Sequence, residues 1–203
     1  MSRRRALIGS AGSPSGRIPA EYQEVEWIGT NGQQNTNTAT IDTGFVPKTN
    51  PRAVFDVASA DGNLYPFGFN DVVASPTWII YGGLKYYKWG TTSNTTGLGT
   101  NTPWHWYHFD AGSKLIVDNV QKADKGTADW SANSKSVRIM STAGNSNCKF
   151  KEIFLYDGNS LKMDLVPCYR KSDNRIGFFD LIGNQFLTNM GAASALTKGA
   201  DVT

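Results

Sequence analysis

Short stretches in which apolar and polar residues alternate run along most of this chain, and turn-forming residues end many of them. The clearest pair, residues 150–156 and 161–169, flanks the group Asp157-Gly158-Asn159-Ser160. Asp, Gly and Asn tolerate the left-handed backbone conformation that a tight reversal needs. The segment therefore predicts a β-hairpin.

Two more reversals follow towards the C-terminus. They lie at Asp173-Asn174 and Gly183-Asn184, and they predict short strands over 176–181 and 185–188. Successive short strands that each end in turn residues are typical of an antiparallel meander. The C-terminal quarter therefore predicts the closing part of a β-sandwich.

The same short-period pattern continues towards the N-terminus. Residues 51–58 alternate with a period of two, residues 104–111 and 114–117 predict a hairpin, and residues 21–28 predict the first strand. No helical periodicity and no internal repeat interrupts this pattern. The sequence predicts an all-β protein in which two antiparallel sheets pack face to face with jelly-roll connections.

Composition agrees with this fold class. Charged residues make up 18% of the 203 residues, below the usual quarter, and aromatic residues make up 12%, which favours strands joined by turns over a helical bundle. Polar stretches predict long loops at 29–38, 91–102 and 122–133. The length predicts one domain, residues 18–203, preceded by a flexible basic arm, residues 1–17.

The arm differs from the body in charge. Arg3, Arg4, Arg5 and Arg17 precede residue 21 without any acidic residue, and 20 minus these 4 leaves 16 basic against 17 acidic residues in the remainder. The small residues of 10–16 bury no area and predict a flexible linker. A basic arm can bind an acidic protein surface, nucleic acid or a membrane surface; a solvated terminus is the alternative.

Both ends of the domain resemble a known family. The residues LVPCYRKSDNRIGFFDLIGNQFLTN, followed by LTKG, and the opening IPAEYQEVEWIGTNG, followed by IDTGFVP, are similar to the end signatures of laminin-G-like, concanavalin-type domains in phage and prophage proteins of gut bacteria. The resemblance covers both ends of residues 18–199, whereas residues 50–145 share with the family only a succession of strand-like segments. The chain departs from the family in an insertion at 35–40 and in a cysteine missing from 153–156.

The resemblance implies a non-enzymatic protein on the virion surface: a capsid decoration, a head-fibre component or a tail adsorption module. It implies that the first strand pairs near the last ones, and that a homo-oligomer or many copies are present on each particle. We expect Arg3, Arg4 and Arg5 to anchor the arm to other virion proteins, either capsid or tail subunits. The absence of a signal-peptide pattern and of a long apolar stretch predicts synthesis in the host cytoplasm and no membrane insertion.

Aromatic residues of the middle third are the leading binding candidates. Exposed rings stack on the apolar faces of sugars while nearby polar groups bind the hydroxyls, so the displayed sandwich could bind host or mucosal glycans. A sandwich core also needs aromatic side chains, and alternation leaves about half of them for the surface. The glycan-binding candidates are Trp78, Tyr86, Tyr87, Trp89, Trp104 and Trp106. A free-standing carbohydrate-binding module is the alternative function.

The sequence does not favour catalysis. A glycosidase of concanavalin type would use two carboxylates on one strand, and Glu21, Glu24 and Glu26 form the one comparable cluster. They lie in the opening motif without the Glu-x-Asp-x-x-Glu order, so we expect exposed acids on an edge strand and rank a glycoside hydrolase last. His105 and His108 are expected on opposite strand faces, where they cannot readily share a metal ion.

No cofactor or metal site is predicted. Laminin-G-like domains often hold one calcium ion on aspartates and backbone carbonyls, but the loop aspartates here show no fixed ligand spacing. These aspartates are Asp61, Asp71 and Asp118.

The two cysteines do not form a disulfide framework. If Tyr156 pairs with Leu161 across the hairpin, the register places Cys148 opposite Tyr169, next to Cys168 but on the other face of the sheet. We therefore expect two buried free thiols.

Overall fold

The computed structural model describes residues 16–30, 39–59, 65–69, 77–81, 84, 86–89, 92–98, 102–110, 114–124, 129–141, 148–190 and 196–203. The strands of these ranges are β1 (Tyr22–Glu24), β2 (Ile28–Thr30), β3 (Ile41–Asp42), β4 (Pro51–Ser59), β5 (Tyr65–Phe69), β6 (Trp78–Tyr81), β7 (Tyr86–Trp89), β8 (Thr92–Thr95), β9 (Thr102–Asp110), β10 (Lys114–Val117), β11 (Val120–Asp124), β12 (Arg138–Ser141), β13 (Cys148–Asp157), β14 (Ser160–Arg170), β15 (Arg175–Asp180), β16 (Gln185–Thr188) and β17 (Leu196–Lys198). Within these ranges no helix has the length and apolar character needed to cross a membrane.

The larger of the two sheets has eleven strands. Its main path runs β11-β10-β9-β4-β13-β14-β15-β16, with β1, β2 and β17 attached beside β13 and β14. The predicted alternation of β4 is confirmed, since Ala53, Phe55 and Val57 are buried while the residues between them are partly exposed. The hairpins predicted around Gly158 and between β9 and β10 are also present.

The N-terminal segment fills a fork in the large sheet. β13 and β14 pair only from Asp157/Ser160 to Ile153/Leu165, after which β1 pairs with β14 and β2 pairs with β13. β17 lies along the free edge of β2, and Val25 forms a bridge with Asp201. The two ends of the domain therefore meet within one sheet, as the resemblance implied.

The smaller sheet covers one side of the larger one. Its six strands run β3-β12-β5-β6-β7-β8. Rings from the two sheets meet in the core: Phe55 lies 4.7 Å from Phe67, and Phe109 lies 5.1 Å from Trp78, between ring centroids. The predicted all-β, two-sheet antiparallel β-sandwich is confirmed, and burial of each such side chain contributes about 1.5–3 kcal/mol. The jelly-roll order of connections stays a prediction.

Three expectations for local structure are wrong. β8 lies inside the predicted loop at 91–102, β11 overlaps the predicted loop at 122–133, and the predicted first strand is divided into β1 and β2. β8 and β11 are edge strands of their sheets. Edge strands remain largely exposed to solvent, so they need no apolar alternation. A polar edge strand therefore resembles a loop in the sequence.

Both cysteines are buried free thiols, as expected. The predicted register is wrong beyond the hairpin turn, because a bulge follows Leu155 and the strands then diverge around the fork. Cys148 pairs with Ser59, and Cys168 lies between Glu24 and Gly177 in the register. Burial raises the pKa of the Cys168 thiol to about 12, which keeps it protonated and unreactive.

Candidate functional site

The outer face of the large sheet, meaning the side turned away from the small sheet, carries two of the predicted aromatic candidates. Tyr107 and Phe109 of β9 are fully buried, so alternation turns Trp104, Trp106 and His108 outwards. Both indole rings are half-buried, and the ring of Trp106 meets His108 edge-on with 6.0 Å between centroids. Residues two apart on a strand are roughly 7 Å apart, so the two indoles are neighbours on this face.

Trp78 and Tyr87 occupy the core instead. Both side chains are fully buried, and Trp78 packs between aromatic rings of the two sheets. Neither ring has a face in solvent, so the expectation that these two residues stack on a sugar is corrected. Tyr86 and Trp89 belong to β7, but their side chains lie outside the described residues.

Charged residues surround the two indoles on the outer face. Trp106 lies opposite Asp56 of β4. Further along β4, Arg52 pairs with Tyr156 of β13, and the guanidinium of Arg52 lies 4.0 Å from the centroid of the Tyr156 ring. Burial lowers the pKa of His108, so its imidazole is uncharged at neutral pH. The face thus combines flat apolar rings with hydrogen-bonding and charged groups.

Two lysines of β13 each cover an indole ring on this face. The ammonium of Lys149 lies 4.4 Å from the centroid of Trp27, and that of Lys151 lies 4.6 Å from the centroid of Trp104. Lys149 pairs with Ala58 of β4. Within the described residues, neither ammonium forms an ion pair with a carboxylate.

His105 lies on the side of β9 opposite His108, as expected. Its Nδ1 is 2.5 Å from Oδ2 of Asp118, while Oδ1 of Asp118 accepts the backbone N–H of Trp106 at 2.9 Å. Asp118 and Asn119 both have positive φ in the reversal between β10 and β11. This contact fixes the backbone that carries Trp106.

Carboxylates from β1, β13 and β14 surround the guanidinium of Arg17. Nη1 donates to Oε1 of Glu152 at 2.6 Å, and Nη2 donates to Oε1 of Glu24 at 3.3 Å. Burial, with the nearby charge of Glu152 second, raises the pKa of Asp164 to about 7. Oδ1 of Asp164 is buried without a hydrogen-bond partner in the described structure.

This arrangement corrects two expectations. Glu24 is not an exposed acid on an edge strand: its side chain is 15% exposed, and β1 pairs with β14 while Val202 donates its N–H to the Glu24 carbonyl. Arg17, assigned to the arm, belongs to the folded body. A protonated carboxyl beside a carboxylate resembles the acid and base of glycosidases, but Arg17 already donates a hydrogen bond to Oε1 of Glu152.

The described residues contain no group of three or more side chains able to hold a metal ion. Asp61 and Asp71 lie outside the described residues, and Asp118 is engaged with His105 and Trp106. The arm residues also lie outside the described part of the chain; they are Arg3, Arg4 and Arg5.

Sequence reasoning missed Trp27, Lys149, Lys151, Arg17 and Asp164 as residues of the outer face. One signal was available: in Lys149-Phe150-Lys151 a buried apolar residue separates two lysines, which places both on the opposite face of the strand. No sequence signal joins Arg17 to Glu152, because 135 positions separate them.

No protein-family model matches this chain, and comparisons with curated proteins and with solved structures likewise give no match. The relationship to laminin-G-like phage domains therefore stays a prediction from the two end motifs.

Proposed function

We propose that this protein is a non-enzymatic β-sandwich displayed on the surface of a phage particle, where the outer face of its large sheet binds host or mucosal glycans. The position of Trp104 and Trp106, side by side and half-exposed on β9, is the observation that supports glycan binding best. The end motifs and the basic arm support the virion context.

The outer face has the chemistry that sugar binding requires. Indole rings offer flat apolar surfaces to the C–H faces of a pyranose, and the ammonium of Lys151 beside Trp104 can donate hydrogen bonds to hydroxyl groups. A shallow open face binds each sugar weakly. Many copies on one particle would convert weak single contacts into firm attachment, because later contacts form at high effective concentration.

A glycan array tests the binding part of the proposal. Wild-type protein, presented in many copies on beads, should bind a subset of glycans, and Trp104→Ala and Trp106→Ala should each lose most of that binding. Phe186→Ala is the matched control, because this half-buried ring lies on β16, five strands from β9, or about 24 Å away. Equal binding by wild type and both tryptophan variants would refute glycan binding by this face.

Particle assembly tests the anchoring part. We expect a protein that lacks residues 1–16 to fold and to fail to associate with particles. Arg17 stays in this variant because it contacts Glu152 and Glu24 of the body. Incorporation equal to that of the full chain would remove the anchoring role.

A further inference from the structure

We propose that the glycans bound by the outer face are acidic, with their carboxylate or sulfate groups held by Lys149 and Lys151 and their sugar rings stacked on Trp27 and Trp104. The proposal rests on the proposed function, since it names the ligand class of the same face. These four residues are called the lysine–tryptophan cluster below.

The cluster is continuous across the sheet. Lys149 and Lys151 lie on either side of the buried Phe150, so both project outwards from β13, roughly 7 Å apart. Trp27 directly precedes β2, which pairs with this part of β13, and Trp104 lies two strands away on β9. The order across the face is therefore indole, ammonium, ammonium, indole.

The cations decide which sugars the indoles can accept. Each ammonium lies over a ring, at 4.4 Å for Trp27 and 4.6 Å for Trp104, and such a contact stabilises the pair by about 0.5–1 kcal/mol at exposed sites. A neutral sugar that stacks on the ring must displace the ammonium and offers it only hydroxyl oxygens, which do not neutralise its charge. An acidic sugar displaces it and pairs with it at the same time.

The charge of the two lysines is not balanced within the cluster. Neither forms an ion pair among the described residues. The acid next to Lys151 in sequence is Glu152, and Arg17 already engages it at 2.6 Å. Because neither ammonium has a carboxylate partner in the described structure, both can pair with the charge of an anionic ligand.

Another pair on the molecule provides a matched control. Lys198 lies over the ring of Tyr169 at 4.5 Å, much as the two lysines of the cluster lie over their indoles. Unlike them, Lys198 forms an ion pair with Asp201 at 2.8 Å. Its charge is already balanced, so its removal should not affect an anionic ligand.

The test compares a sulfated galactan hexasaccharide, a polyuronate hexasaccharide and the unsulfated galactan hexasaccharide, by calorimetry on the full chain. We expect the two acidic probes to bind at least tenfold more tightly than the neutral one, and 0.5 M salt to remove most of this difference. Lys149→Met and Lys151→Met should each weaken the acidic probes about tenfold, the loss expected for one charge-assisted contact. Lys149→Arg and Lys151→Arg should restore binding, and Lys198→Met should bind as wild type.

The outcomes separate this inference from the proposed function. Equal affinity for neutral and acidic galactan, with loss of both in Trp104→Ala, overturns the inference and leaves glycan binding in place. No binding of either acidic probe by the folded wild-type protein overturns the inference, whereas equal binding of wild type and both tryptophan variants on the glycan array overturns the proposed function. Binding of DNA and of acidic glycans with equal affinity, unaffected by Trp104→Ala, would indicate general attraction of polyanions and would also overturn the inference.

Discussion

At the scale of single residues, Asp164 has the most unusual environment. It lies on β14 and interacts with Arg17 from the N-terminal segment, Glu152 and Tyr156 from β13, and Asp180 from β15. Burial and two neighbouring carboxylates favour its neutral form, while one guanidinium favours its charged form. The balance raises the pKa of Asp164 from 3.8 to about 7.

This pKa predicts how stability changes with pH. Between pH 4 and pH 7 the folded state holds a proton at Asp164 that the unfolded state has released, so the free energy of unfolding should fall as pH rises through this window. We expect Asp164→Asn, which stays neutral, to remove about 1–3 kcal/mol of this decrease. Urea unfolding of wild type and Asp164→Asn at pH 4, 6 and 8 measures this difference in the free energy of unfolding.

Asp173→Asn is the control for the pH prediction. The pKa of Asp173 is lowered to about 2 by its hydrogen bond with Arg170, so its contribution is lost only as pH falls below about 4. In Asp173→Asn, the change of the free energy of unfolding with pH between pH 4 and pH 8 should therefore match that of wild type. Parallel slopes for wild type and Asp164→Asn would contradict the assignment of the proton to Asp164.

Arg17 should control the proton of Asp164. Removal of the guanidinium in Arg17→Ala takes away the cation that favours the charged carboxylate, so the pKa of Asp164 should rise further above 7. Carbon-detected NMR titration of the Asp164 carboxyl in wild type and variant measures the shift. Arg138→Ala, which removes a cation paired with Asp42 instead, should leave the Asp164 titration unchanged.

At the scale of elements, the close approach of β5 and β6 depends on Gly68. A Cβ at this position would lie 1.9 Å from the carbonyl oxygen of Trp78, and the residue has a φ of +109°. We expect Gly68→Ala to destabilise the protein by at least about 3 kcal/mol, because backbone must move and φ is strained. Thermal unfolding followed by circular dichroism measures the loss.

Gly158→Ala provides the comparison for the same measurement. Gly158 also has a positive φ, +59°, but no atom lies within 4 Å of an added Cβ. Gly158→Ala should destabilise the protein by only about 1–2 kcal/mol, the cost of placing a non-glycine residue in the left-handed conformation. Equal destabilisation by the two substitutions would show that contact with Trp78 does not constrain Gly68.

The elements also show why local patterns predicted some strands and missed others. The hairpin of β13 and β14 was predictable because its apolar residues and its turn are adjacent in sequence. The divergence of the same two strands was not, because β1 and β2 enter the fork from more than a hundred residues earlier in the chain. β8 and β11 were missed because edge strands carry little apolar pattern.

At the scale of the whole molecule, the first and last segments of the domain stabilise each other. Glu26 donates its N–H to the carbonyl of Ala200, Gly199 donates to Trp27, and Val202 donates to Glu24. We expect deletion of 196–203 to lower the midpoint of thermal unfolding by more than about 10 °C, since it removes these bonds and the buried Leu196. Deletion of 1–15 should change the midpoint little. Equal effects of the two truncations would contradict this prediction.

The sequence by itself determined the properties that depend on neighbouring residues: strands instead of helices, the turn at Gly158, and the placement of Trp104 and Trp106 on one shared face of their strand. Alternation with a period of two follows from the geometry of a strand and needs no knowledge of the fold. The tertiary structure alone decided that Trp78 and Tyr87 enter the core, that Arg17 meets Glu152, and that Lys149 and Lys151 lie over Trp27 and Trp104. These outcomes depend on which strands pair and on which face the second sheet covers, and such choices are made by long-range burial that a local pattern does not record.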